Sequence, residues 1–211
     1  ECPGATITVN WDGSGDYTTI QAGINAATDG DMVLVADGTY RGSGNRDLDF
    51  GGKAITVRSE NGPANSIIDC ENSGGGFLFW NEEGNDSVVD GFTITNSYRG
   101  GICCRESSPT ISNCNISNCT ADRGGGIDCR DNSSPTIRGC NITHNAAGIG
   151  GGIACRYGSN ATIKNCAIVG NLGYDAAGGI WCTHSTVTLT NCIVIGNIGR
   201  YEGGGICCQK A

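Results

Sequence analysis

The sequence predicts an all-β fold, a parallel β-helix in which short strands stack as a solenoid. Three observations carry that prediction. Glycine runs recur at Gly74–Gly76, Gly100–Gly101, Gly124–Gly126, Gly150–Gly152, Gly178–Gly179 and Gly203–Gly205. Each is followed by an apolar residue, a variable residue, and then Phe79, Cys104, Cys129, Cys155, Cys182 or Cys208. A second apolar column, Val89, Ile111, Ile137, Ile163 and Leu189, repeats at spacings of 22, 26, 26 and 26. Three residues beyond each member stands Phe92, Cys114, Cys140, Cys166 or Cys192, and two further on Ile94, Ile116, Ile142, Ile168 or Val194.

Alternation of period 2 over three or four residues marks half-buried strands. Three such strands cannot enclose a core alone, but stacked about 4.8 Å apart they bury a continuous one. The expected architecture is a single domain, 1–211, of about seven to eight coils with three short strands each. Residues 1–31 form an N-terminal strand and capping helix. Residues 32–99 form less regular coils, and residues 100–211 regular coils of 22–28 residues, the last incomplete. In the early coils Val35 and Val57 are the expected predecessors of Val89. The run "DYTTIQAGINAATDG" places Ile20 and Ile24 on one helical face, with Asp16 or Thr18 as its N-cap.

Turn residues support the same frame. Before the second cysteine column stand Gly91, Asn113, Gly139, Asn165 and Asn191, types that tolerate left-handed backbone. Asn113, Asn165 and Asn191 are expected to hydrogen-bond as a turn ladder, and Asn145, Asn171 and Asn197 to serve another turn. His144 shares a turn column with Gly170 and Gly196, and His184 follows the strand of Cys182, so both histidines read as turn residues.

Composition narrows the function classes. The 211 residues carry a net charge of −8 and a sequence pI of about 4.6, the opposite of a phosphate-backbone binder. Nucleic acid and membrane insertion are therefore excluded as expectations, the latter because no window approaches the length of an apolar span. Fourteen cysteines favour an oxidising, extracellular setting, with Glu1 as the end left by processing. Their spacing of 10 or 11 within a unit builds columns rather than the close pairs of a zinc site, so no metal is expected. Cys104, Cys129, Cys155, Cys182 and Cys208, and Cys114, Cys140, Cys166 and Cys192, are disulfide candidates. Column neighbours about 4.8 Å apart lie within bridging range. Cys2 and Cys70 could staple the N-terminus to an early coil, while Cys103 and Cys207 alternate outward. Acids at Asp29–Asp31, Asp47–Asp49 and Glu82–Asp86 lack the spaced oxygens of a calcium loop and read as solvated turns.

The segment "GSGDYTTIQAGINAATDGDMVLVADGTY" resembles the N-terminal part of pectin-lyase-like right-handed β-helix proteins, including pectin methylesterases. "SVVDGFTITN" and "SSPTIRGCNITHNAA" resemble secreted β-helix repeat proteins of environmental bacteria. The resemblance implies the right-handed form and a secreted protein. It does not imply one activity, because a fold hosts many functions. The methylesterase stretches like "DFIFG" and "QDT", the polygalacturonase Asp-Asp, Gly-His-Gly and Arg-x-Lys motifs, and a lyase-like "RxPxxR" are all missing, so no catalytic residue and no cofactor is assigned.

Two functional expectations remain. A structural or cell-surface solenoid could assemble head to tail, its uncapped C-terminal coil adding to the "ATITVN" strand of the next copy. Alternatively the chain is a polysaccharide-binding or polysaccharide-degrading, lyase- or hydrolase-like β-helix protein, with Arg105, Arg130 and Arg156, flanked by Tyr157 and Trp181, as an outward strip for an acidic glycan. Glu106 and Asp131, next to two of these arginines, offer the competing reading, a ladder neutralised by its own neighbours.

Overall fold

The computed structural model describes residues 4–209, and Cys2 lies outside them. The strands stack as parallel sheets around one apolar interior. The first sheet has eight strands, Thr6–Val9, Met32–Val35, Thr56–Ser59, Val88–Asp90, Thr110–Ser112, Thr136–Arg138, Asn160–Lys164 and Thr186–Thr190. The second has seven, from Leu48–Asp49 through Ile102–Arg105, Ile127–Arg130, Ile153–Arg156 and Ile180–Thr183 to Ile206–Gln209. The third also has seven, from Gly38–Tyr40 to Ile193–Ile195.

The columns pair in the expected register. Val57, Val89, Ile111, Ile137, Ile163 and Leu189 are successive partners in the first sheet. Cys104, Cys129, Cys155, Cys182 and Cys208 are partners in the second. One early assignment needs correction: Val33, not Val35, stands beside Val57. Both valines point inward and are fully buried, so a two-residue shift preserves the pattern and hides from sequence reading.

The expectation of three strands per coil also needs correction. Thr120–Arg123, Ala146–Ile149, Leu172–Gly173 and Ile198–Gly199 form a fourth sheet. It folds against the outer side of the second, where Ala154, Ala176, Ala177 and Trp181 are buried with Ile149 and Cys207 packed on them. The glycine runs permit that approach. A Cβ on Gly124 would stand 2.7 Å from the Cα of Asp128, and one on Gly126 2.6 Å from the Gly152 carbonyl oxygen.

The two asparagine columns divide their work. Asn113, Asn165 and Asn191 have φ of 52°, 54° and 52°, alongside Gly91 and Gly139, as their turn requires. The hydrogen-bonded ladder is instead Asn145, Asn171 and Asn197. Asn171 Nδ2 donates to the Ile142 carbonyl at 2.9 Å and to Asn197 Oδ1 at 2.9 Å, while its Oδ1 accepts from the Asn145 N–H at 2.9 Å. A second ladder, not foreseen, runs through serines. Ser107, Ser133 and Ser159 donate their N–H groups to the hydroxyls of Ser133, Ser159 and Ser185, and the Ser107 hydroxyl donates to the buried Glu83 at 2.9 Å.

The helix Ile20–Ala26 covers the N-terminal end with Ile20 and Ile24 buried. Its N-cap is Thr19, without a side-chain bond, and Asn45 Oδ1 accepts from the Ile20 N–H instead. Asp16 is engaged elsewhere: it accepts from the Thr8 N–H at 2.8 Å and the Thr8 hydroxyl at 2.7 Å. Tyr17 donates its N–H to the Thr8 carbonyl and accepts from the Asn10 N–H. The outer edge of Thr6–Val9 is thus occupied at Thr8, the place where an incoming strand would have to pair. At the other end Ile193, Ile195, Ile198 and Ile206 are exposed.

The cysteines among the described residues stand unbridged in this structure, and most are buried. Cys140 and Cys166 illustrate how they fit. Each Sγ donates to the carbonyl two residues back, of Arg138 at 3.3 Å and of Lys164 at 3.2 Å. The buried thiols fill the interior as small hydrophobes.

Candidate functional site

A groove of about 520 Å³ lies between the second and fourth sheets. Cys103, Asp128, Arg130 and Arg156 form its floor, and Thr120–Arg123 with Tyr98 and Arg99 its wall. The chain passes from wall to floor directly through Gly124, Gly125 and Gly126, which explains the close contact of the two surfaces. Four guanidinium groups face two carboxylates, Asp122 and Asp128, in a chain whose overall charge is −8.

The floor is organised by Asp128. Arg156 Nη2 reaches its Oδ2 at 3.0 Å and Arg156 Nε its Oδ1 at 3.3 Å, with only 7% of Arg156 and 9% of Asp128 exposed. Burial works against the charge on Arg156, but the hydrogen bonds and charge of Asp128 outweigh it and raise its pKa. Arg130 Nε stands 3.9 Å from Asp128, too far for a hydrogen bond, and has no partner although that atom is buried. Burial pushes the Cys103 thiol up, and Asp128 adds to the effect, so it stands in the groove as a neutral thiol. On the wall Arg99 and Arg123 are exposed, and neither forms an ion pair among the described residues.

The expected arginine strip therefore divides. Arg105, Arg130 and Arg156 do stand in register. Arg105 turns away to pair with Asp131 at 3.2 Å and does not line the groove. Asp131 was expected to serve its sequence neighbour Arg130 and serves the previous coil instead. Arg156 does not face solvent as expected, because Asp128 draws it flat along the floor. Tyr157 is exposed at φ 55°, with the Arg156 guanidinium 5.2 Å above its ring. Trp181 is only 8% exposed and belongs to the packing between the sheets, so it presents no aromatic face to a ligand.

Asp128, Arg99 and Arg123 were missed. Asp128 occupies the variable position between Ile127 and Cys129, whose outward direction was visible. Arg99 and Arg123 each directly precede a glycine run, "YRGG" and "DRGGG", a coincidence that could have marked them. The acidic turns are spent on the fold. Glu83 accepts from the Gly52 and Asn81 N–H groups, Asp31 from Ala5 and Thr28, and Asp47 from Gly75. His144 and His184 have φ of 56° and 48°, the turn conformation expected of them.

Comparison with known proteins fixes the lineage. The family model described as the right-handed β-helix region matches residues 18–171 and 75–211. The chain belongs to the right-handed β-helix family. Among curated proteins none matches it. Among solved structures a pectin methylesterase from Aspergillus niger is similar at a TM-score of 0.50 and 12% identity, over 100% of this chain and 87% of that one. The pectate lyase Pel9A is similar at 0.50 and 13%, over 96% and 81%. A pectin methylesterase from carrot reaches 0.49 and 12%, over 97% and 88%. At such identities the likeness is one of fold.

Proposed function

We propose that this β-helix chain is a non-catalytic binding module for carboxylated polysaccharide, acting outside the cell. The observation that carries the reading is the groove: four guanidinium groups gather against two carboxylates on an otherwise acidic protein. A local positive surplus with an unpartnered Arg130 Nε on the floor suits carboxylates held at intervals along a sugar chain. Pectin and pectate, for which the similar Aspergillus niger methylesterase and the lyase Pel9A are named, are polymers of that chemistry. Binding is favoured over turnover because Asp128 is committed to Arg156 and Cys103 is protonated. The filament reading is weaker, since Asp16 and Tyr17 already hold the edge that a partner's strand would need.

The test is calorimetric titration with polygalacturonate and with neutral dextran at low and high salt. Binding of the first alone, weakened by salt, is expected. Arg123→Ala and Arg130→Ala should each weaken it about ten- to a hundredfold, the value of one charged hydrogen bond at roughly 1.5–3 kcal/mol. Unaltered affinity in the double variant, release of unsaturated or reducing sugar from polygalacturonate, or release of methanol from methyl-esterified pectin incubated in parallel, would overturn the proposal.

A further inference from the structure

The groove is closed at one end. Along the outward column of the second sheet, successive coils place Leu78, Cys103, Asp128, Ala154, Trp181 and Cys207 in register. At Cys103 and Asp128 this column is the groove floor. One coil further on the space is filled. Ala154 is fully buried, and Trp181, Ala176 and Ala177 pack around it with Ile149 from the fourth sheet. Toward the N-terminus the fourth sheet has no strand before Thr120–Arg123, and Leu78 is only half-buried, so the groove opens on that side. The deep end carries the Arg156–Asp128 pair, whereas Arg99 and Arg123 stand at the exposed wall.

Resting on the polysaccharide reading above, we infer that the groove captures the end of a carboxylated glycan chain and does not take its middle. A polymer threading the groove would have to pass through the layer of Trp181, Ala154 and Ile149, which is packed as interior. A chain terminus needs no exit. Its last carboxylate would face Arg130 and Arg156, and those of preceding sugars Arg123 and Arg99.

The experiment titrates the whole protein with oligogalacturonates of increasing length and with long polygalacturonate, counting bound protein per glycan chain. End capture gives saturation at a single protein molecule per chain at every length, with affinity per chain unchanged once the groove is filled. A protein count that rises in proportion to chain length would overturn end capture while leaving polysaccharide binding intact. Failure to bind any of these glycans would overturn both. A second measurement needs no substitution: coupling the oligosaccharides to a bulky carrier through the reducing end, or blocking the opposite end. One of the two modifications should abolish binding, and retention after both would also overturn the inference.

Discussion

Arg156 lies across Asp128 of the preceding coil, making two hydrogen bonds of 3.0 and 3.3 Å where both side chains are nearly inaccessible to water. The pair fixes the depth and charge of the groove floor. Neither residue has a comparable substitute partner, because Arg130 reaches Asp128 only at 3.9 Å.

Removing one member should therefore cost more than removing both. Asp128→Ala leaves a buried guanidinium unpaired and should lower stability by about 3–5 kcal/mol. Pairing it with Arg156→Met removes the orphaned charge and should recover most of that loss. Urea denaturation of the two variants checks this, and a small effect of Asp128→Ala alone would contradict it.

The two asparagine columns look alike in sequence and should respond differently. Asn165 is exposed at φ 54°, so Asn165→Gly should leave stability nearly unchanged, whereas Asn165→Ile should cost about 1–2 kcal/mol of backbone strain. Asn171 is completely buried, and its amide group bonds to Ile142, Asn145 and Asn197. Asn171→Leu strands those partners at roughly 1–3 kcal/mol each and should destabilise by at least about 2 kcal/mol. Thermal unfolding midpoints of the three variants decide the matter.

That contrast shows what was legible. Ile111, Ile137 and Ile163 announce their burial by period and spacing, because strand alternation is local. Gly and Asn mark left-handed turns for an equally local reason. Whether Asn165 or Asn171 carries the ladder depends on which turn closes against the coil below, and no local pattern records that. The groove was half legible. The register of Arg130 and Arg156 followed from the repeat, but their surroundings depended on the fourth sheet. Its strands share no apolar column: Thr120–Arg123 reads TADR and Ala146–Ile149 AAGI, and Leu172–Gly173 and Ile198–Gly199 are only two residues long. Once that sheet lies over the second, a side chain pointing out of the barrel no longer points into water. Trp181 and Arg156 were misjudged for that single reason.

Acid should loosen the N-terminal edge first. The Thr8 N–H and hydroxyl hold the Asp16 carboxyl below its ordinary value of 3.8. A carboxyl with a lowered folded pKa contributes stability above its unfolded value. That contribution is lost as the pH falls below 3.8 and through the lower folded value. Amide-exchange protection at Thr8 and Asn10 should therefore drop in acid before that at Ile137. Asp16→Asn should flatten the dependence, and parallel loss at all three amides would refute the mechanism.

The cysteine columns should behave as packing rather than as reagents. Burial raises the Cys70 and Cys119 thiols to about 12, and hydrogen bonding with the column neighbours Cys114 and Cys140, with burial, pushes Cys140 and Cys166 up as well. At about pH 8 almost none of these groups is a thiolate, the form that attacks an alkylating agent. Iodoacetamide applied to the folded protein should label Cys208, which is exposed, and Cys192, which is half-buried, well ahead of the columns above them. Denaturation without reductant should then open the column cysteines to labelling, with the mass gain read peptide by peptide. Register neighbours such as Cys129 and Cys155 distinguish the alternatives most sharply. If they resist alkylation even after unfolding and the intact mass is lighter by two hydrogens per pair, they are bridged. Their burial would then stabilise by cross-linking the coils rather than by filling the space between them.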